Sequence, residues 1–505
     1  MTGGTRMHPL TYARQFLVGP RRDPRLASWP GLELGRGLVL QHHPLLPCVR
    51  TSCGDRWLTM LGFAVDAAAP AATTEDIAAR LIAVPRSPDE LFAEFDALSG
   101  RWVAIYEDSG RAMLLHDTAG LRTVVHTRPG SAELWCASQT GLIAEQLRLR
   151  PDPQATDFWD RLGHNIPKHV RAWPGAGTAF AELRALLPNH YLDLRTGEAI
   201  RYFPRAPLAP ITLEEGTQRI AAHLRGSLAG AHRRYRVYQQ ITSGLDSRTM
   251  LAASRDFGAS TTYFTCLWPS LEPGMTEAHA DIAVPARLLP TLGLRHTVYV
   301  CGTGPGDPGF AQAFEGCDTY PMTALLPATE TLARVMPPDA MVINNNTGEV
   351  GRCYLHPIEH PDTVSLPTLC NKHWTGLQRH PYLVAHLGQW LEETTHVCAR
   401  HGFRLLDMFH WEMKAGRRVA RSILHLDPAH DTFSPFACRK LAQHYLAVPE
   451  VHRRPARGFE LQHEVIRTLW PETLSADINP ARAGDLVLRK LRRLRRHARR
   501  IGLPI

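Results

Sequence analysis

The sequence predicts a layered, β-rich α+β sandwich over residues 1–205 and an α/β domain with a parallel sheet over residues 206–484. A basic tail, 485–505, follows. Three observations predict this. A chain of 505 residues exceeds what one core serves. Its first part carries alternating strands broken by turn residues, and its second part alternates short β-branched runs with helical patterns.

In chain order, the segment Ser87–Ala97 reads as a helix against a sheet. Arg101–Asp108 alternates, breaks at Ser109-Gly110 and resumes over Arg111–Thr118, which is hairpin chemistry. Thr123–Ser138 repeats the pattern around Pro129-Gly130, and Leu186–Pro210 turns around Thr196-Gly197. A Pro-punctuated link, Pro204 to Pro210, marks the domain boundary. Beyond it, strands are expected at 237–241, 261–266, 296–300 and 340–344, with crossover helices between them.

Composition excludes several classes. Hydrophobic residues make up 44% and charged residues 21%, which is ordinary globular usage. Ten cysteines show no CxxC pair, which fits reduced thiols rather than a disulfide framework. No HExxH or zinc-like spacing organises the 26 histidines. No apolar run approaches bilayer length, and the first residues lack the apolar stretch of a secretory signal. A cytoplasmic protein is expected. The net charge of +9 belongs to the tail, where Arg489, Lys490, Arg492, Arg493, Arg495, Arg496, Arg499 and Arg500 cluster, so the body is nearly neutral. Leu488, Leu491, Leu494, Ala498 and Ile501 recur at helical spacing between these cations. The tail therefore suits either an anionic membrane surface or docking on the protein itself. It has no aromatic residue for base stacking, and nucleic acid is not an expected partner.

The most informative stretch is Thr242-Ser243-Gly244-Leu245-Asp246-Ser247, where a predicted strand meets a predicted helix. Ligands of open α/β sheets bind at the carboxyl ends of strands, and a helix start offers free N–H groups and a positive dipole end. Gly244 permits close backbone approach, the hydroxyls of Thr242, Ser243 and Ser247 can donate, and Asp246 can hold a magnesium ion. Together they form a cradle for a pyrophosphate. The plainer explanation is an N-capped helix, with Asp246 or Ser247 as cap. The stretch lacks the Gly-rich length and Lys of a Walker loop.

This loop resembles the PP-loop of the asparagine synthetase family, Ser-Gly-Gly-x-Asp-Ser. Gly244, Asp246 and Ser247 match, while Thr242 and Ser243 replace the first Ser and Gly. Tyr263–Cys266, which includes Phe264, is similar to the family's next strand, near the adenine. Glu277–Val300 resembles its following helix and strand, with Asp281, Ala286, Arg287, Leu292, Gly293 and His296 in place. Met341–Tyr354 stands where the family carries Ser-Gly-x-Gly-x-Asp-Glu. Here Gly348-Glu349 remains, with Glu349 the second candidate magnesium ligand; the alternative is an Asn-rich turn without a metal role. Residues 98–127 and Leu183–Leu194 resemble the family's N-terminal glutaminase domain and linker hairpin. The resemblance spans residues 90 to 480 and implies an Ntn-hydrolase-like sandwich followed by a PP-loop, adenine nucleotide alpha-hydrolase-like synthetase domain.

The chain begins Met1-Thr2-Gly3-Gly4, without the Cys nucleophile of a working glutaminase, and lacks the family's glutamine-holding Asn-Gly-Glu-Ile-Tyr-Asn motif. The resemblance therefore points to β-lactam synthetase and the lasso-peptide cyclases. It implies a ligase that uses ATP and Mg2+ to adenylate a substrate carboxylate, which an amine then attacks. The substrate could be a peptide, with a partner protein of the same pathway. Relatives carry a Lys late in this domain; Leu469–Gly484 has none, and Arg482 is the candidate substitute. Glu412, Arg417 and Arg439 are candidates for polar roles facing the cleft, or else domain ion pairs. Three further readings stay open: a nucleotide-binding pseudo-enzyme, an asparagine synthase using free ammonia, and a PP-loop sulfur transferase. The last generally needs a Cys pair that is not spaced suitably here.

Overall fold

The computed structural model describes residues 8–165, 171–268, 277–302, 306–353 and 364–480. The predicted tail, 485–505, and Arg482 lie outside them.

The first part forms strands β1 (Phe16–Gly19), β2 (Gly31–Gly35), β3 (Leu38–His42), β4 (Cys48–Cys53), β5 (Arg56–Asp66), β6 (Leu98–Glu107), β7 (Ala112–His116), β8 (Val125–Thr127), β9 (Cys136–Ala137), β10 (Leu183–Ala185), β11 (His190–Asp193) and β12 (Ala199–Arg201). They make two six-stranded antiparallel sheets, ordered β10-β8-β9-β1-β3-β2 and β12-β11-β7-β6-β5-β4. The alternation in β6 explains the layering. Trp102, Ala104 and Tyr106 join a core with the helices Thr74–Ile82 and Pro88–Asp96, while Val103 and Ile105 meet Phe16, Val18 and Leu40 of the other sheet. The predicted hairpins are present as β6–β7, β8–β9 and β11–β12, and the predicted helix runs from its Ser87 cap to Asp96.

The second part is built on a parallel sheet, as predicted. Strands β13 (Arg236–Gln240), β14 (Thr262–Leu267), β15 (His296–Val300), β16 (Ala340–Ile343) and β17 (Asp431–Phe433) run in the order β15-β14-β13-β16-β17. The chain lays β14 and β15 on one side of β13, then crosses to place β16 and β17 on the other. That reversal leaves a crevice beyond the carboxyl ends of β13 and β16, where open α/β sheets bind ligands. The edge strand β17 is a short one that sequence texture did not signal.

Buried charges tie the two parts together. Arg101, on β6, is 0% exposed; it reaches Asp427 through Nη2 at 2.9 Å and Asp431 through Nη1 at 3.2 Å. Arg122 Nη2 lies 3.3 Å from Asp431 Oδ2. The Asp117 carboxylate accepts from the amides of Leu121 (2.9 Å) and Arg122 (2.8 Å), holding the turn that aims Arg122. No helix among the described residues is long and apolar enough to cross a membrane.

Candidate functional site

The loop after β13 and the helix Leu245–Ala253 form one wall of a cavity of about 570 Å³ at the sheet's switch point. Of the residues singled out in the sequence, Thr242, Gly244, Leu245, Asp246, Ser247 and Phe264 line it, together with Glu349 from the turn Gly348–Gly351. Ser243 and Gly348 belong to the same loops but do not line the cavity. The cavity continues from this polar mouth along one face of the sheet, over Phe264, Cys266 and Val342, to the side chains of Leu332 and Leu426.

The helix begins differently from the capped-helix alternative. Its N-cap is Gly244, with no side-chain cap, and Asp246 and Ser247 fall inside the first turn. Ser247 Oγ accepts from the Thr242 amide at 2.8 Å, and Thr242 Oγ1 from the Gly244 amide at 3.2 Å. These bonds curl the loop back on itself. The amides of Leu245, Asp246 and Ser247 have no acceptor within the helix and stand at the cavity. They form the dipole's positive end, where an anion is stabilised.

Ser243 corrects the expectation of a free hydroxyl donor. Its amide and Oγ both donate to Asp281 Oδ1, at 3.1 and 2.6 Å, so Asp281 braces the loop from the next helix, Ala280–Thr291. A further brace comes from Asn479, whose amide donates to Ser243 O at 3.0 Å and which lines the cavity. Nothing in the sequence pointed to Asn479.

The predicted magnesium ligands, Asp246 and Glu349, do come together, but not as a free carboxylate pair. Arg352 Nη2 lies 2.6 Å from Asp246 Oδ2 and 3.3 Å from Glu349 Oε1, and the Lys414 ammonium contacts Glu349 Oε2. Burial raises the Asp246 carboxyl above the usual range, and the charges of Arg352 and Lys414 pull it back. Burial, with Arg418 beside it, brings the Lys414 ammonium down to about 7, against the pull of Asp246. His410 Nε2 is 3.5 Å from Glu349, but burial lowers the imidazole to about 3, so this neutral contact is no ion pair at pH 7. Each predicted ligand is thus matched by a protein cation, and the pair does not fit a metal ion as it stands. The two loops meet closely because Gly348 has no side chain: a Cβ there would lie 3.0 Å from the Asp246 carboxylate and 3.0 Å from the Phe436 ring.

Glu412 is also corrected. It is 0% exposed and faces the N-terminal part, not the cavity. It accepts from Arg201 Nη1 (2.6 Å) and Nη2 (2.8 Å), Asn189 Nδ2 (2.8 Å) and Trp390 Nε1 (2.6 Å). Arg417 likewise donates to Gly177 O at 2.6 Å, and Arg439 to Asp96 at 2.8 Å and Asn189 at 3.0 Å. All three are fasteners between the parts, because a buried charge is tolerated only with a fixed partner. Glu412 and Lys414 share one π-helical segment, His410–Val419. His410 and Lys414 point to Glu349 and Arg418 lines the cavity, whereas Trp411, Glu412, Gly416 and Arg417 meet the N-terminal part.

No protein-family model and no curated protein matches the chain. Among solved structures it is similar to an allosteric regulatory enzyme of purine biosynthesis, at 10% identity and a TM-score of 0.23, over 60% of this chain and 63% of that one. It is also similar to a glutamine phosphoribosylpyrophosphate amidotransferase from B. subtilis, complexed with ADP and GMP, at 9% identity and a TM-score of 0.23, over 68% and 73% of the two chains. The chain thus spans less than two thirds of the first enzyme's length. Likenesses this distant say nothing of what this chain does.

Proposed function

We propose that the chain is an ATP-dependent carbon–nitrogen ligase, built on a PP-loop domain behind a glutaminase-like sandwich that does not hydrolyse glutamine. The observation that supports it most is the uncapped first turn, Leu245–Ser247, opening at the switch point into a cavity with a polar mouth and an apolar flank. The mouth suits phosphates, and the flank at Phe264 suits a base or an apolar substrate group.

In this reading the substrate carboxylate oxygen attacks the α-phosphorus of ATP, the bond to the β-phosphate breaks, and pyrophosphate leaves. A substrate amine then attacks the acyl carbon and loses a proton, and AMP departs. The chain's own part is to hold the phosphates with the first-turn amides and to fix the reacting groups in a shielded cavity. No step is routed through a metal, given the paired state of Asp246 and Glu349. The substrates are a carboxylate and an amine, within one peptide or between two molecules; free ammonia as the amine would make the product asparagine. A cytoplasmic setting, a pathway partner and a membrane contact through the tail belong to the same proposal.

A nucleotide-binding pseudo-enzyme is the second reading. It is favoured by Ser243, whose donors are consumed by Asp281. Pyrophosphate exchange into ATP, measured across a panel of carboxylates, separates the two. Exchange with any member supports the ligase. ATP binding without exchange across the panel moves the chain to the second reading, and absence of ATP binding removes both.

A further inference from the structure

We propose that Arg352 and Lys414 take the place of a divalent cation at this cradle, so that pyrophosphate and the pyrophosphate end of a nucleotide bind without magnesium. The inference rests on the nucleotide reading above and departs from the magnesium expectation of the sequence.

A magnesium site needs Asp246 and Glu349 to turn their oxygens to the ion. Arg352 and Lys414 already contact Asp246 Oδ2 and both Glu349 oxygens, and their side chains are only 10% and 8% exposed. Freeing the acids would strip two enclosed cations of these carboxylates, a costly change for buried charges. The charge count points the same way. Arg352 brings a full positive charge and Lys414, brought down to about 7, a partial one at neutral pH, so the two offset much of the carboxylate charge that one magnesium ion would.

A second observation points to a ligand. Arg352 lines the cavity and is 9% exposed as a residue, yet its Nε has no hydrogen-bond partner among the described residues. Its Nη2 is spent on the two acids, while Nε–H is an enclosed donor with no acceptor among the described residues. Phosphate oxygens are the acceptors that the guanidinium fork fits best. The Phe459 ring, 5.3 Å from Cζ, helps fix the guanidinium in place. The uncapped amides of Leu245–Ser247 start the same helix that carries Asp246, so the orphan donor and the anion-binding helix end share one ligand.

Calorimetric titration of the full-length protein with inorganic pyrophosphate, and separately with ATP, tests this in EDTA and in magnesium. Pyrophosphate is expected to bind no more weakly in EDTA than in magnesium. Arg352→Gln and Lys414→Gln are each expected to lower the metal-free affinity by about tenfold or more, the loss of one charge-assisted bond. In the double variant the freed carboxylates should make binding magnesium-dependent. The wild-type comparison stands whether or not the variants fold, and circular dichroism reports on their folding. Binding in magnesium that is lost in EDTA overturns the inference and leaves the nucleotide reading intact. No binding of either probe in either buffer overturns both.

Discussion

Arg352 Nη2 sits 2.6 Å from Asp246 Oδ2, joining the loop after β16 to the helix after β13 through one mostly enclosed ion pair. Removing either partner leaves a charge with incomplete compensation. Asp246→Ala and Arg352→Ala should each cost about 3 kcal/mol, and the double variant should cost clearly less than their sum. Urea denaturation of the four proteins measures this. Additive losses would show that the pair is not coupled.

Gly348→Ala should be destabilising by about 1–3 kcal/mol, because its Cβ would press on the Asp246 carboxylate and the Phe436 ring, each 3.0 Å away. On the proposed nucleotide reading, it should also weaken ATP binding by moving Asp246. Gly388, inside the helix Pro381–His401, has open space around its Cβ position, so Gly388→Ala should stabilise by roughly 0.5–1 kcal/mol. Thermal melting of both variants is the measurement, and equal shifts would refute the close-approach argument.

The buried fasteners differ sharply from surface pairs. Arg101→Ala abandons Asp427, which is 1% exposed, and should cost about 3–5 kcal/mol. Arg161→Ala breaks a pair whose side chains are 63% and 51% exposed and should cost under about 0.5 kcal/mol. Chemical denaturation distinguishes them. A small loss at Arg101 would mean that the two parts are not held by this pair.

Acid stability should reflect buried imidazoles. Burial lowers His126, His190, His425 and His430 to about 4 and His410 to about 3. Their folded values lie below the unfolded value of about 6.5, so the unfolded chain takes up protons first. Stability is therefore full above about pH 6.5 and falls as pH drops towards 4, by up to about 1.4 kcal/mol per pH unit for each such group. The melting temperature should already decline between pH 6.5 and 5. A flat profile over that range would contradict the neutral, buried state of these rings.

Much of the fold was legible because it is written in local pattern. The period-two run of β6 separates Trp102, Ala104 and Tyr106 from Val103 and Ile105, and its turn residues set the hairpin with β7. The parallel strands showed as β-branched runs between helical stretches. The strand–turn–helix corner was legible too, because a strand end, a Gly and a helix start are contiguous. What escaped was anything fixed by distant pairing. Glu412 meets Arg201 only through packing of the two parts. Arg352 and Lys414 reach the acids from separate elements. The one sequence signal for Lys414 is the four-residue recurrence His410, Lys414, Arg418, which looks like an ordinary polar helix face. Asp117 and Arg122, inside the stretch 98–127 that resembles a glutaminase domain, work here as interface residues.

The segment His410–Val419 has one side against the N-terminal part and the other against Glu349 and the cavity. This gives a reason for the first part to persist beside the second in a lineage. Shortening the gene to its second part would remove Arg201 and Asn189, take two of the three partners from the Glu412 charge, and release the turn that aims Lys414. Selection on the one activity then preserves both halves, and drift in the first half is limited to positions away from this contact.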